Sequence, residues 1–154
     1  MISQTTEYAL RAVVFLAENR DGGQTTEQIA KATQIPAAYL SKVLQQLSRV
    51  SIVQSQRGLR GGFTLKASPS KLSVLDVVNA VDPIQRIREC PLGLPAHALK
   101  LCKLHRQLDE ANALVEKAFG SCTIADLLTN PKSENVFTFP LQKSEEKKTK
   151  GRSK

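Results

Sequence analysis

Both histidines of the chain and two of its three cysteines fall within sixteen residues, as Cys90, His97, Cys102 and His105. Thiolates and imidazoles are the ligands of zinc and of iron–sulfur clusters. Cys102 and His105 are three apart, so on a helix they share a face and can reach one metal ion. Cys90 stands in Glu89 to Pro95, a stretch with two prolines and a glycine that reads as a loop, able to bring its thiol alongside. The spacing matches no zinc-finger pattern, because no close Cys-x-x-Cys pair is present. His97 lies on an apolar helical seam, where an interface histidine is the alternative to a ligand. Cys122, in Ser-Cys-Thr before a helix cap, reads as a small core residue. A Cys–His pair could also serve nucleophilic catalysis, but nothing supplies an oxyanion hole or a substrate cleft. The expectation is a protein that is not an enzyme.

The elements that must position these residues are mostly helical. Tyr8 to Asn19 carries a broad apolar face of Tyr8, Ala9, Ala12, Val13, Phe15, Leu16 and Ala17, which predicts a first helix. After the breaker Asp21-Gly22-Gly23, Thr25 and Gln28 form a capping-box pattern that opens a short second helix. Thr33-Gln34-Ile35 reads as a turn, and Pro36 as the first residue of a third helix with Leu40, Val43, Leu44 and Leu47 as its core stripe. The outer face of that third helix is small, polar or basic: Ala37, Ala38, Ser41, Lys42, Gln45 and Gln46. Two short helices joined by a tight turn in this way describe a helix-turn-helix. Ile52 to Ser55 and Phe63 to Leu65 then read as paired strands. Between them Gln56-Arg57-Gly58-Leu59-Arg60-Gly61-Gly62 is a glycine-rich tip with two arginines. An isolated glycine cluster would be an ordinary hairpin or a phosphate cradle, but straight after a helix-turn-helix it is the wing of a winged helix.

Ser73 and Asp76 cap a helix that runs to about Ala80. From about Ala96 to Phe119, His97, Leu101, Leu104, Leu108, Ala111, Val115 and Ala118 alternate steps of four and three, a heptad seam. A helix with such a seam either dimerises or packs back on its own domain. Thr123 and Asp126 cap a last short helix. The expected organisation is a winged helix-turn-helix domain over 1–82 and a loop over 83–95 that holds Cys90. A dimerisation helix with the short final helix follows over 96–130, then a disordered basic tail over 131–154.

Charge narrows the partners. The 154 residues hold 22 Lys and Arg against 14 Asp and Glu, a net +8. No acid stands between Glu27 and Asp76, while Lys31, Lys42, Arg49, Arg57, Arg60, Lys66 and Lys71 all do. Such a stretch makes the local positive field of a polyanion-binding surface, or else a solvated basic face. A charged fraction of 23% and a hydrophobic fraction of 41% exclude wholesale disorder. No apolar run approaches the roughly 18 residues of a membrane span, and the first residues lack a signal-peptide pattern. The expected location is the cytoplasm. Three cysteines, an odd number, make no disulfide framework.

In order along the chain, four stretches resemble one bacterial family. They are Thr5-Thr6-Glu7-Tyr8-Ala9-Leu10-Arg11-Ala12; Ile35-Pro36 with Tyr39-Leu40; Arg57-Gly58 with Gly61-Gly62-Phe63; and Ser73-Val74-Leu75-Asp76-Val77-Val78. Over about residues 1 to 130 the sequence resembles the Rrf-two (Rrf2) winged helix-turn-helix regulators, the NsrR/IscR-like proteins. The resemblance implies a homodimeric repressor on a partly palindromic double-stranded operator. Tyr39, Ser41, Lys42 and Gln45 would face the major groove, and Arg57, Arg60 and Gly61 the sugar-phosphate backbone or minor groove. Cluster-binding members place three cysteines before or at the start of the long helix. Cys90 matches the first and Cys102 the third; the middle one is missing, its place falling near Ala96 with His97 beside it. His105 matches a histidine ligand of some members, and Glu7 stands where others lend a carboxylate from the partner subunit. The implied cofactor is an iron–sulfur cluster of the two-iron or four-iron type that senses redox state, nitric oxide or iron. Zinc at the same residues, or a thiol-based regulator without metal, are the alternatives.

Overall fold

The computed structural model of the chain describes residues 2–58, 61–90 and 101–128. Helix α1 (Gln4–Glu18) begins where Ser3 caps it, the Oγ accepting the Thr6 amide at 3.2 Å. It therefore starts four residues before the apolar face that predicted it. Capping chemistry sets the start of a helix, and hydrophobic periodicity does not. Ala9, Ala12, Val13 and Leu16 of α1 are fully buried, and the helix packs against α2, α3, α4, α6 and β2.

Helix α2 (Thr26–Thr33) opens on the Thr25–Gln28 capping box and closes on Gln34 in the left-handed region, φ 56°. Helix α3 (Ala37–Arg49) buries Leu40, Val43, Leu44 and Leu47. Pro36 is its cap rather than its first helical residue: its ψ of 127° is not helical, while its carbonyl accepts the Leu40 amide at 3.0 Å. Strands β1 (Val53–Gln56) and β2 (Gly62–Leu65) pair antiparallel from Val53↔Leu65 to Gln56↔Gly62, one residue later than expected on the first strand. The Ile52 carbonyl instead accepts the amides of Lys66 and Ala67. Helix α4 (Val74–Val81) carries the Ser73–Asp76 capping box, and α6 (Ile124–Leu128) opens on the same exchange between Thr123 and Asp126. Ile124 is fully buried in the core that α1 organises, and its amide bonds the Leu72 carbonyl at 2.8 Å.

Helix α5 (Lys103–Gly120) corrects the sequence expectation of a helix from Ala96. Residues 96–100 lie outside the described residues, and Leu101 and Cys102 are not helical. Cys102 is the N-cap, with extended φ −61° and ψ 163°. A seam repeat carries no information about its own first turn. None of the 18 side chains of α5 is buried. Its seam faces outward, with Leu104 65%, Leu108 48% and Val115 39% exposed.

The wing is docked on the domain by one backbone exchange. Gln24 and Phe63 donate their amides to each other's carbonyl at 2.9 and 2.8 Å. Gly62 sits at φ 144°, and a Cβ there would fall 2.6 Å from the Gln24 backbone. Gly62→Ala combines a disfavoured dihedral with a backbone clash and is expected to cost about 1–3 kcal/mol in thermal unfolding. Hydrogen exchange should quicken at the Gln24 and Phe63 amides. Gly22→Ala, which meets nothing within 4 Å, should leave both unchanged.

Candidate functional site

Two groups of residues stand out by chemistry. The first is the outer face of α3 with the wing. The buried stripe fixes the helix's rotation, so Tyr39, Ser41, Lys42 and Gln45 are all exposed. Ser41, Lys42, Gln45 and Ser48 of α3 and Ser55 and Phe63 of the wing line one groove of about 380 Å³. The Ser41 hydroxyl donates to the Ala37 carbonyl at 3.0 Å, which leaves its oxygen able to accept. The Lys42 ammonium lies 5.9 Å from the centre of the Tyr39 ring, a cation–π distance. Arg57 is exposed beside the tip, and the Gly61 amide closes the turn on the Gly58 carbonyl at 2.8 Å. A Cβ at Gly61 would meet the Gln56 carbonyl oxygen at 2.6 Å, so the tight tip requires glycine. Arg60 lies outside the described residues. Hydroxyl, amide, ammonium and guanidinium groups on a convex helix beside a projecting hairpin can hydrogen-bond base edges and phosphates together.

The second group is the thiol–imidazole cluster. His105, in the first turn of α5, meets Cys102 through its Nδ1 at 3.2 Å and Cys90 at 3.8 Å. The edge of a tetrahedral zinc site between a sulfur and a nitrogen ligand is about 3.5 Å, so these distances bracket it. Among the described residues no three His, Cys, Asp or Glu side chains are already arranged to hold a metal ion. Both thiols approach the same ring nitrogen. In kind the donors fit a soft metal or an iron–sulfur cluster; as a set they are short of a closed cage. His97 falls outside the described residues. Glu7 is ion-paired with Arg11 on its own helix.

What delivers Cys90 to His105 was not foreseen from the sequence. Arg86 binds Asp109 with two parallel bonds, Nε to Oδ1 and Nη2 to Oδ2, both 2.7 Å, and reaches Glu116 at 3.0 Å. Asp109 also accepts the Ile87 amide at 2.8 Å, and the Asn112 side chain donates to the Gln85 carbonyl at 2.8 Å. The segment before Cys90 is thus laced along one face of α5. Asp109, Asn112 and Glu116 are spaced three and four apart, the one signal by which the sequence could have announced that face. The Arg86 hydrogen bonds hold the Asp109 carboxyl at about 2, well below the ordinary range, with the Ile87 amide adding to the effect. The same carboxylates push the Arg86 guanidinium up.

Residues 2–130 match the model of the Rrf2 family, described as an iron-dependent transcriptional regulator. The chain belongs to the Rrf2 family. A helix-turn-helix transcriptional regulator of Aquifex aeolicus is 33% identical over 140 residues, 89% of this chain and 96% of the relative. The transcriptional repressor NsrR of Streptomyces coelicolor is 27% identical over 132 residues, 84% of this chain and 89% of that one. The Rrf2 fold is shared with two solved structures. T. potens IscR has a TM-score of 0.69 at 21% identity, covering 83% of this chain and 85% of that one. CymR, the global cysteine regulator of B. subtilis, has a TM-score of 0.67 at 23% identity, covering 82% and 95%. This Rrf2 chain is therefore a winged-helix transcriptional regulator that binds DNA, and its relatives are regulators rather than enzymes. Among the described residues no helix is long and apolar enough to cross a membrane.

The clamp gives a pH prediction. A carboxyl depressed in the folded state contributes stability above its unfolded value, near 4, and loses it as pH falls through its folded value. The contribution of Asp109 is therefore intact at neutral pH and disappears between about pH 4 and pH 2. A carbon-13 carboxyl titration should show the Asp109 midpoint near 2, rising toward the ordinary carboxylate range in Arg86→Ala. Asp109 titrating in the ordinary range in the wild type would contradict the clamp.

Proposed function

We propose that this Rrf2 chain is a homodimeric repressor whose operator affinity is set by an iron–sulfur cluster held by Cys90, Cys102 and His105. The observation that carries the DNA reading is the groove shared by α3 and the wing, lined by exposed Lys42 and drawn from a stretch without acids. Tyr39, Ser41, Lys42 and Gln45 face the major groove; Arg57, Arg60 and Gly61 bring the wing to the backbone or minor groove. Gln45 has the amide needed to read adenine bidentately. The repressor role is supported by the likeness to NsrR of Streptomyces coelicolor.

Dimerisation is supported by α5. Leu104, Leu108, Ala111, Val115 and Ala118 form a helical stripe that its own chain leaves exposed, and a second copy of the same stripe is the complement a two-fold axis supplies. In such a dimer α5 sets the separation of the two recognition helices, which must match major grooves about 34 Å apart.

Cys102 and His105 belong to the start of α5, and Cys90 to the end of the segment that Arg86 clamps to it. A cluster there would supply a cross-link broken by oxidation, nitric oxide or iron shortage. His97, or Glu7 of the partner subunit, is the candidate fourth ligand. Joining Cys90 to His105 fixes the linker on α5 and so favours one arrangement of the two DNA-binding domains. A preference of about 1.4 kcal/mol between arrangements changes operator affinity tenfold. A second reading, zinc at the same residues, is favoured by the 3.2 and 3.8 Å spacings around Nδ1, which suit a single ion.

Binding is tested on a duplex that the wild type selects from a random-sequence library. Arg57→Ala should weaken binding to every sequence and lower the slope of log affinity against log salt by about one. Lys42→Ala should weaken it and relax sequence preference, by about 1–3 kcal/mol if Lys42 reads a base. Unchanged affinity in both variants at moderate salt would remove the groove reading. Leu108→Glu, a charge on each side of the two-fold, should sediment as a monomer and lose the duplex; a stable dimer would remove α5 as the interface.

A further inference from the structure

The three helices of the helix-turn-helix region are joined on their outer side by a chain of aromatic and cationic contacts. Arg11 on α1 pairs with Glu7, donates from Nη1 to the Thr33 carbonyl at the end of α2 at 3.1 Å, and lies 5.9 Å from the centre of the Tyr8 ring. The half-buried Tyr8 meets Tyr39 in the first turn of α3 edge-on, with ring centres 6.2 Å apart and planes at 76°. Tyr39, 53% exposed, carries the Lys42 ammonium 5.9 Å from its ring centre. Edge-to-face rings and a cation over an aromatic face are both directional contacts. Each therefore passes orientation as well as position to the next.

We propose that Tyr8 is a positioning residue for DNA recognition: through the edge contact with Tyr39 it orients that ring and, through the ring, the Lys42 ammonium. The proposal rests on the reading of Tyr39 and Lys42 as groove-facing, and goes beyond it by placing a determinant of that contact on α1. Lys42 otherwise stands exposed on α3 with a long side chain free to sample many rotamers, and ordering it costs entropy at the moment of binding. The Tyr39 ring meets that cost in the free protein only while the ring itself is held. Pro36, the cap of α3, offers no side-chain hydrogen bond, so the first turn that carries Tyr39 gains a lateral support from Tyr8. Arg11, tied to Glu7 on α1 and to the end of α2, stands in turn over the Tyr8 ring.

A residue that only fills space would weaken the fold without reference to Lys42. A positioning residue acts through it, and a double-mutant cycle separates the two. On the selected duplex, Tyr8→Leu should bind about fivefold more weakly, while Tyr8→Phe, which keeps the ring edge, should bind as the wild type does. In a Lys42→Met background Tyr8→Leu should cost nothing further. The same loss in both backgrounds, or wild-type binding by Tyr8→Leu, would overturn the proposal. Should Tyr8→Leu not fold, Tyr8→Met takes its place in the cycle.

A second readout needs no DNA. The chain has no tryptophan and two tyrosines, and both are in this contact. Tyr8→Phe therefore leaves Tyr39 as the sole tyrosine emitter with its partner ring intact, and Tyr8→Leu leaves it without one. Acrylamide should quench Tyr39 more strongly in Tyr8→Leu than in Tyr8→Phe; equal quenching would overturn the proposal. If the wild type retained no duplex, the groove reading would fail while the quenching comparison still judged the contact itself.

Discussion

Helix α5 has no fully buried side chain; only its last turn reaches the core, through half-buried Phe119. Along the rest of its length the main tie to the chain is Arg86. Two parallel bonds to Asp109, a third to Glu116, and the Ile87 amide on the same carboxylate hold the linker against one face of the helix. Single exposed ion pairs contribute little because water competes and side-chain entropy is lost. This one is bidentate, networked and partly sheltered, with the Asp109 side chain 18% exposed. The geometry of Cys90, Cys102 and His105 depends on it, since Cys90 comes from the clamped segment and the other two from the start of α5.

The DNA-binding half rests on a different constraint. Helix α1 packs on α2, α3, α4, β2 and α6, and the buried stripe of α3 fixes its rotation. Its polar and basic residues are exposed as a consequence of where Leu40, Val43, Leu44 and Leu47 are buried. The wing is attached just as locally, by the paired amides of Gln24 and Phe63 across Gly62. The winged helix is thus held by apolar packing, and α5 by polar contacts and the packing of Phe119 in its last turn.

Local chemistry made most of the fold legible in the sequence. The pairs Thr25–Gln28, Ser73–Asp76 and Thr123–Asp126 each satisfy amides within three residues, and each opened a helix where it was expected. The α3 stripe and the wing were legible for the same reason. The start of α5 was not: the seam repeat runs through His97 and Leu101, whereas the helix begins after Cys102, whose type is no capping signal. Residue type pointed to Cys90, Cys102 and His105 as a set, but the expected shared helical face did not hold, because Cys102 is the extended cap before α5. Contacts between distant stretches were not legible. Arg86 finds Asp109 and Glu116 across 23 and 30 residues, and Tyr8 meets Tyr39 only because α1 and α3 pack. No short-range pattern encodes either, and the charge count alone does not say which acid an arginine will meet.

Whether the thiol–imidazole cluster at the start of α5 holds the proposed metal centre decides how the regulator senses its signal. The most direct measurement is anaerobic purification of the full chain, with the visible spectrum and iron, sulfide and zinc per chain, beside Cys90→Ser/Cys102→Ser. Iron with sulfide and absorption between about 320 and 450 nm are expected in the wild type, all lost in the double variant while the helical fold is kept. Zinc without sulfide would keep the ligands and replace the cluster. A wild type with no bound metal, or a double variant that retains all of it, would contradict the claim.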